Sequence, residues 1–254
     1  MPRRLEQETI AYNSYLTTKL STNRIWIVND LVKSLKQTGI WSNLDRLWLF
    51  ASESNQAARI SLVNPSSTAI TEVNAPAWVA NQGYTGDGAT SYLNTNYTPS
   101  TQSVKHTLNS SSFGVYLRSD SNVTALDSGS VGSGTGASVW IRARQSGVVG
   151  WAANDAGTGT APTVAASSGF TSVSRTTSTA ITIDKNGVSL GTSSNVSTSL
   201  SNTAVYILGA NNNGTLLSPS LRESSACFIG SGTINSLTLY NTIQTYMTAL
   251  GTQI

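Results

Sequence analysis

The sequence predicts an all-β fold: a β-sandwich with a helical segment at its N-terminus and a short helix at its C-terminus. Three observations carry this expectation. Serine and threonine make up more than a quarter of the 254 residues, and with 21 glycines they favour short strands and turns over helices. From Trp41 onward, apolar residues recur at period two in short runs separated by Gly, Asn, Ser and Pro clusters, which suits a sandwich better than alternating α/β units. Finally, Asp184-Lys185-Asn186-Gly187-Val188 places Asn-Gly between two alternating segments, the signature of a tight hairpin. Six Trp, nine Tyr and spaced Val/Ile/Leu clusters supply a core, so the polar composition does not read as disorder.

The elements follow in order. Residues 1–40 differ from the rest in composition and read as a helical N-terminal segment, with 41–254 as the sandwich. Leu5, Thr9, Tyr12, Leu16 and Leu20 share a helical stripe, an apolar face in need of cover. Two compatible roles are open for it: packing on the following sheet, and serving as an arm for docking and oligomerisation through Leu5, Tyr12, Leu16 and Leu20. A second helix starts near Asn23, carries Val28, Leu31, Val32 and Leu35 on one face, and stops at Gly39, where glycine accepts the positive φ of a C-terminal cap.

Arg46–Ala51 and Ala58–Val63 read as the first strands, the latter ended by Asn64-Pro65. Further strands are expected at Ser91–Asn94, Phe113–Arg118, Ser138–Arg144, Val148–Ala153, Phe170–Arg175, Ala180–Asp184, Val188–Gly191, Ala204–Leu208 and Ser225–Ile229. The closing helix carries Ile234, Leu237, Tyr240 or Asn241, Ile243 or Gln244, Met247 and Leu250, and stops at Gly251.

Composition excludes several classes of function. No run approaches the ~20 apolar residues of a membrane span. The first eight residues hold no apolar core of a secretory signal, so the chain reads as made in the cytoplasm. The net charge is +3, but it comes from residues 1–40, where six basic residues stand against three acidic. Residues 41–254 hold nine of each, so the body has no basic footprint for nucleic acid. A single Cys and a single His rule out disulfide frameworks and imidazole- or thiolate-built metal sites. No Asp-x-Asp pair or acidic cluster occurs in the body, so calcium, which takes six to eight oxygens, is not expected at Asp87, and no cofactor is expected.

Catalytic chemistry is equally sparse. Retaining glycosidases need two carboxylates about 5–5.5 Å apart, yet Glu53, Glu72 and Glu223 have no partner at strand spacing. Glu6 and Glu8 lie two apart, on the N-terminal helix. His106 would have to serve any Ser-His-Asp or Cys-His arrangement, and no Gly-x-Ser-x-Gly elbow exists. Cys227 alternates like a core residue, and Gly132-Ser133-Gly134-Thr135-Gly136 lacks the Lys-Ser/Thr of a phosphate loop. Asp45 and Asp87 read as structural caps: Asp45 for the turn joining the second helix to the first strand, Asp87 for an Asx turn in Gly83–Gly88.

One stretch does offer a surface. In Ser138-Val139-Trp140-Ile141-Arg142-Ala143-Arg144, period two puts Val139, Ile141 and Ala143 on one face and Trp140, Arg142 and Arg144 on the other. An exposed Trp flanked by Arg provides an apolar platform with fixed donors, as a sugar ring requires. The next strand adds Trp151, with Asn154 and Asp155 at its end, and the loop at Asn212 is a second polar candidate. The alternative is an Arg that merely covers Trp140 by stacking.

The order of several short pieces resembles concanavalin A-like (laminin-G-like) jelly-roll domains of tailed-phage virion proteins. They are Gly39-Ile40-Trp41-Ser42-Asn43-Leu44-Asp45-Arg46-Leu47-Trp48, Gly83-Tyr84-Thr85-Gly86-Asp87-Gly88, Tyr92-Leu93-Asn94-Thr95, and Ser174-Arg175-Thr176 before the hairpin. The last is Phe228-Ile229-Gly230-Ser231-Gly232, leading into a helix with Leu239-Tyr240-Asn241 and Tyr246-Met247. The resemblance implies a concanavalin A-like jelly-roll β-sandwich over residues 24–254 and a virion location. It further implies a non-enzymatic structural protein that decorates a capsid or tail or forms a fibre, with weak glycan adhesion, partnered by capsid or tail proteins of the particle and forming a homo-oligomer. Alternatives are a receptor-binding lectin for a host surface polysaccharide and, behind it, a polysaccharide-cleaving hydrolase.

Overall fold

The structure, a computed structural model, describes residues 3–132, 137–157 and 159–253, with the side chains of 160–162 left aside. Its first elements are α1 (Gln7–Ser14), α2 (Thr22–Gln37), β1 (Leu44–Leu49), α3 (Asn55–Arg59), β2 (Thr71–Val73), β3 (Ala77–Val79), β4 (Gly83–Thr85) and β5 (Tyr92–Asn94). Then come α4 (Pro99–Gln102), β6 (Ser111–Leu117), β7 (Ser128–Val131), β8 (Ser138–Gln145), β9 (Val148–Asp155), β10 (Gly159–Thr163) and β11 (Gly169–Arg175). The chain closes with β12 (Ile181–Lys185), β13 (Val188–Ser193), β14 (Tyr206–Ile207), β15 (Ala210–Asn212), β16 (Thr215–Leu217), β17 (Glu223–Gly230) and α5 (Ser236–Ala249).

These strands form two packed sheets, the all-β sandwich that the composition and periodicity predict. The first runs β13-β12-β11-β6-β17-β4-β3, with β1 also paired to β17. The second runs β10-β9-β8-β7-β14-β5-β2, with β15 beside β7 and β16 beside β15. Pairing is antiparallel except between β15 and β7. Between the sheets lies one core, in which Trp48, Phe113, Val115, Val173, Ile183 and Ile229 meet Leu93, Val139, Ile141, Val149, Trp151 and Ile207. Each such buried apolar side chain contributes about 1.5–3 kcal/mol.

A third layer covers the outer face of the first sheet. Leu47, Leu49, Tyr116, Phe170, Ala226 and Phe228 point away from the first core and bury against Val28, Leu31, Val32 and Leu35 of α2 and Leu239, Ile243, Tyr246 and Met247 of α5. That is why β1 is buried along its whole length: Trp48 faces the sandwich while its neighbours Leu47 and Leu49 face the helices. Tyr12, Leu16 and Leu20 belong to this same cluster, and the Tyr12 hydroxyl donates to the Ala57 carbonyl at 2.7 Å. The stripe is therefore buried within the chain's own helical layer, against α2 and α3, with Leu5 half-buried at its start; packing is the role the structure shows, and Tyr12, Leu16 and Leu20 are buried rather than open for docking.

Local signals account for the remaining differences. Ser21, not Asn23, caps α2, accepting from the Arg24 amide at 3.3 Å, while Gly39 follows the helix at φ 72° as expected. Residues 58–63 do not form a strand. Ser54 caps the short α3 by accepting from the Ala57 amide at 3.2 Å, and the Leu62 amide donates to the Leu47 carbonyl at 2.7 Å, with the Ser61 hydroxyl beside it accepting from the Leu47 amide at 3.3 Å. The 185–188 turn has positive φ at both Asn186 (51°) and Gly187 (75°), the type I′ geometry that Asn-Gly favours. On α5 the buried face is Leu239, Thr242, Ile243, Tyr246 and Met247, whereas Leu237 is exposed. The stripe is thus rotated from the expected one. Among the described residues no helix is long and apolar enough to cross a membrane.

Candidate functional site

The helices leave the outer face of the second sheet uncovered, and the surface found in β8 lies there. β8 and β9 form a hairpin closed at Ser146 (φ 51°) and Gly147 (φ 83°). Register places Trp140 between Gly129 of β7 and Ala152 of β9, and Arg142 opposite Gly150. Both glycines are needed for space. A Cβ on Gly129 would sit 2.3 Å from the Trp140 Cβ, and one on Gly150 would sit 2.7 Å from Arg142 Nη2, so β7 closes tightly on Trp140 and the guanidinium lies over bare backbone.

Trp140 is only 9% exposed, not the open platform expected. It packs with Leu126, Ala152 and Ala210, with Val131 against them, and the Arg142 guanidinium carbon stands 5.9 Å from its ring centroid. The cover comes from the long-range β15–β16 hairpin, which no feature of β8 announces. What remains open is a groove of about 200 Å³ lined by Leu126, Val131, Trp140, Arg142, Gln145 and Leu217, among others. Two buried polar atoms in it have no hydrogen-bond partner: Arg142 Nε and Gln145 Oε1. Buried polar groups are normally paired, so these two stand out among the residues lining the groove. Burial holds the Arg142 guanidinium below its ordinary range, and the nearby charge of Arg222 adds to this while Asp127 opposes it.

A fully buried ion pair fixes one wall. Arg222 Nη1 donates to both oxygens of Asp127 at 2.8 Å, and neither side chain is exposed. Arg222 Nη2 also donates to the carbonyls of Ser121 at 3.0 Å and Arg144 at 2.5 Å. Asp127 further accepts from the Ala143 amide at 2.7 Å and the Ser220 hydroxyl at 2.9 Å. These bonds tie the segment carrying Thr124–Leu126 to β8 and to the chain entering β17.

The other sequence-derived candidates separate. Arg144 is outside the groove's lining and is paired with Asp120 at 3.2 Å. Trp151 faces the opposite way: it pairs with Ile141 across the hairpin and is 2% exposed in the sandwich core. Asn154 is buried and structural, its Nδ2 donating to the Thr107 and Leu108 carbonyls at 3.2 Å. Asp155 is buried against Arg175 at 2.8 Å. Asn212 is exposed at the end of β15, on the hairpin that walls the groove but outside its lining.

Gln145, Leu126, Leu217 and the Asp127–Arg222 pair were missed. Gln145 breaks the period because the register shifts between Arg142 and Gln145, and Asp127 and Arg222 carry no local signal, being 95 residues apart.

Residues weighed for chemistry are largely committed to the fold. Asp45 does not cap the helix-to-strand turn; its carboxylate accepts from the amides of Val104, Lys105 and His106 at 3.1, 2.9 and 2.8 Å. Asp87 forms the expected Asx turn, with Oδ1 accepting from Ala89, Thr90 and Ser91 at 2.8, 2.8 and 2.9 Å, and those amides hold its carboxyl well below the usual range. His106 is buried, which lowers its pKa, and its Nε2 meets Asn154 Oδ1 at 3.2 Å. Burial pushes the Cys227 thiol up to about 12. Glu6 and Glu8 share Lys36, at 2.7 and 2.9 Å. Among the described residues no three His, Cys, Asp or Glu side chains gather as a metal site. Of the Gly132–Gly136 loop, residues 133–136 lie outside the described residues.

No protein-family model matches the chain, and no curated protein matches it in sequence. Solved structures do match. Trypanosoma rangeli sialidase in complex with 2,3-difluoro-KDN gives a TM-score of 0.54 at 10% identity, over 87% of this chain and 39% of that one. The same sialidase in complex with sialic acid gives 0.54 at 10%, over 88% and 39%. The binding domain of botulinum neurotoxin serotype D gives 0.52 at 10%, over 79% and 52%. This chain thus spans between two-fifths and about half the length of those proteins. The likeness is one of fold, and it agrees with the two-sheet jelly-roll sandwich described above.

Proposed function

We propose that the chain is a non-catalytic glycan-binding sandwich whose site is the groove on the outer face of the second sheet. The observation that carries this reading is the meeting of an apolar wall (Trp140, Leu126, Leu217) with two unpartnered polar atoms, Arg142 Nε and Gln145 Oε1. A sugar has both complements, a C–H face for the wall and hydroxyls for the polar atoms. Two fold neighbours are in keeping with it, one solved with sialic acid and one described as a binding domain. No carboxylate lines the groove, which favours binding over the two-carboxylate chemistry of a hydrolase.

A glycan array probed with the purified chain tests the reading, followed by titration calorimetry on Gln145→Ala and Leu217→Glu. Retention of a glycan by the wild type and at least about tenfold weaker binding by both variants, at unchanged melting temperature, is the expected result. Absence of any retained glycan, or variants that bind like the wild type, overturns it. Trp140→Ala is a poorer probe, because emptying so buried a site costs about 3–5 kcal/mol of stability.

We further propose, on the resemblance to tailed-phage virion domains, that the protein is displayed on a phage particle as a homo-oligomer held by capsid or tail proteins. The helical layer would then face the particle through the exposed Ile10 of α1 and Tyr15 just after it, and the groove would face outward. Imaging of the native particle checks this: density for the sandwich with α1 against a particle protein is expected, and a chain free of any particle refutes it.

A further inference from the structure

Six of the ten arginines are paired with acids. Of the others, Arg4 is exposed, Arg24 donates to the Ala51 carbonyl, the Tyr246 hydroxyl and Asn81, Arg46 donates to the Asp45 carbonyl, and Arg142 is the exception. Arg222 is paired with Asp127 and Arg175 with Asp155, both at 2.8 Å; Arg144 with Asp120 at 3.2 Å; Arg118 with Glu223 at 3.9 Å; Arg59 with Glu72 at 4.0 Å. Arg3 is paired with Asp30. Arg142 is half-buried and has neither an acidic partner within bonding distance nor a hydrogen bond among the described residues, its Nε being buried and unpaired. The acids nearest to its neighbours are already occupied. Asp127 is held by Arg222, Ser220 and the Ala143 amide, and Asp120 by Arg144 and by the Ser167 amide and hydroxyl. The groove therefore carries one uncompensated positive charge and, in its lining, no negative one.

A guanidinium that has lost part of its water without gaining an anion is poised for a planar, bidentate acceptor. Arg142 is also positioned from below: it lies over Gly150, where a Cβ would come within 2.7 Å of Nη2. The Trp140 ring flanks it, and Gln145 Oε1 offers an acceptor for a neighbouring hydroxyl. We infer that the groove selects an acidic sugar, a residue bearing a carboxylate, with Arg142 as the carboxylate-binding group. This rests on the glycan-binding reading above and names its ligand class.

The test is a direct binding panel. Oligogalacturonate, hyaluronan fragments and sialyllactose are titrated beside methyl-esterified oligogalacturonate, neutral oligosaccharides of similar length and a sulfated oligosaccharide. At least one carboxylated member binds, and its neutral or esterified counterpart binds about 10- to 100-fold more weakly, as expected for losing a charge-assisted bidentate contact. Added salt weakens the carboxylated ligand and leaves neutral ones nearly unaffected. Arg142→Gln loses the same factor and no longer distinguishes acid from ester, while Arg142→Lys retains part of the preference. Gly150→Ala, which displaces the guanidinium without removing it, reproduces the loss. Thermal melts of all three variants verify folding.

The outcomes separate the two claims. If neutral and carboxylated glycans bind alike, and Arg142→Gln is silent while Gln145→Ala is not, the acidic-sugar inference fails and glycan binding stands. Preference for the sulfated probe alone overturns the carboxylate assignment. If no glycan of any class binds, both claims fall.

Discussion

Asp127→Asn isolates the contribution of the ion pair beneath the groove. The substitution keeps the size of the side chain but leaves the Arg222 guanidinium without a counter-charge at a site where neither partner is exposed. Removing one partner from such a pair costs about 3–5 kcal/mol, because the remaining charge stays desolvated. The Ala143 amide and the Ser220 hydroxyl bond different oxygens of Asp127, and an amide keeps only one of them, so the full range of about 3–5 kcal/mol is expected. For a domain of this size, that lowers the melting temperature by roughly 6–20 °C. Urea denaturation at neutral pH reads the free energy directly, with an unchanged slope confirming that the same surface unfolds.

The double variant Asp127→Leu/Arg222→Met separates charge from architecture. Apolar replacement of a buried pair is often neutral in stability, but here it also removes the donors to the Ser121 and Arg144 carbonyls. It should therefore regain part of the lost stability while the wall formed by 124–126 loosens and ligand affinity stays low. A single variant within about 1 kcal/mol of wild type would falsify the reasoning, because the pair would then be solvated or dispensable.

Two further expectations follow from packing and burial. Gly129→Ala should destabilise the fold by about 1–3 kcal/mol, since its Cβ would lie 2.3 Å from that of Trp140 and 2.6 Å from the Val139 carbonyl oxygen; a chemical melt within error of wild type would mean that β7 and β8 shift apart freely. Lys185 should give a stability that rises with pH. Burial lowers its pKa to about 8 from an ordinary 10.5, so the unfolded state holds more protons between those values. Raising the pH from about 8 towards about 10 should then strengthen the fold by up to roughly 3 kcal/mol, and Lys185→Met should flatten that dependence. A urea midpoint for the wild type that is constant or falls across this window contradicts the assignment.

Much of the fold was legible because strand and helix signals are local. The alternation in 138–144 correctly put Val139, Ile141 and Ala143 inward and Trp140, Arg142 and Arg144 outward, since side chains alternate across a strand wherever it pairs. Likewise, Asn186-Gly187 marked a hairpin because few other residue pairs take positive φ twice in succession. The readings that failed needed knowledge of a distant neighbour. Nothing in Leu5–Leu20 says whether its apolar face meets another molecule or α2 and α3 of its own chain. Trp151 could not be assigned to a face until the β8–β9 register set it opposite Ile141.

The candidate site divides along the same line. Residue order by itself determined that a Trp-Arg pair would sit on the solvent side of a sandwich strand, because that depends only on the period of one segment. Tertiary structure alone decided that Trp140 is a wall rather than a platform, and that the half-buried Arg142 is left with neither an acid nor a hydrogen bond among the described residues. Those outcomes depend on the β15–β16 hairpin returning over β7 and on Arg222 claiming Asp127 from 95 residues away. Such contacts are set by how the two sheets close on each other, and no short stretch of the chain encodes them.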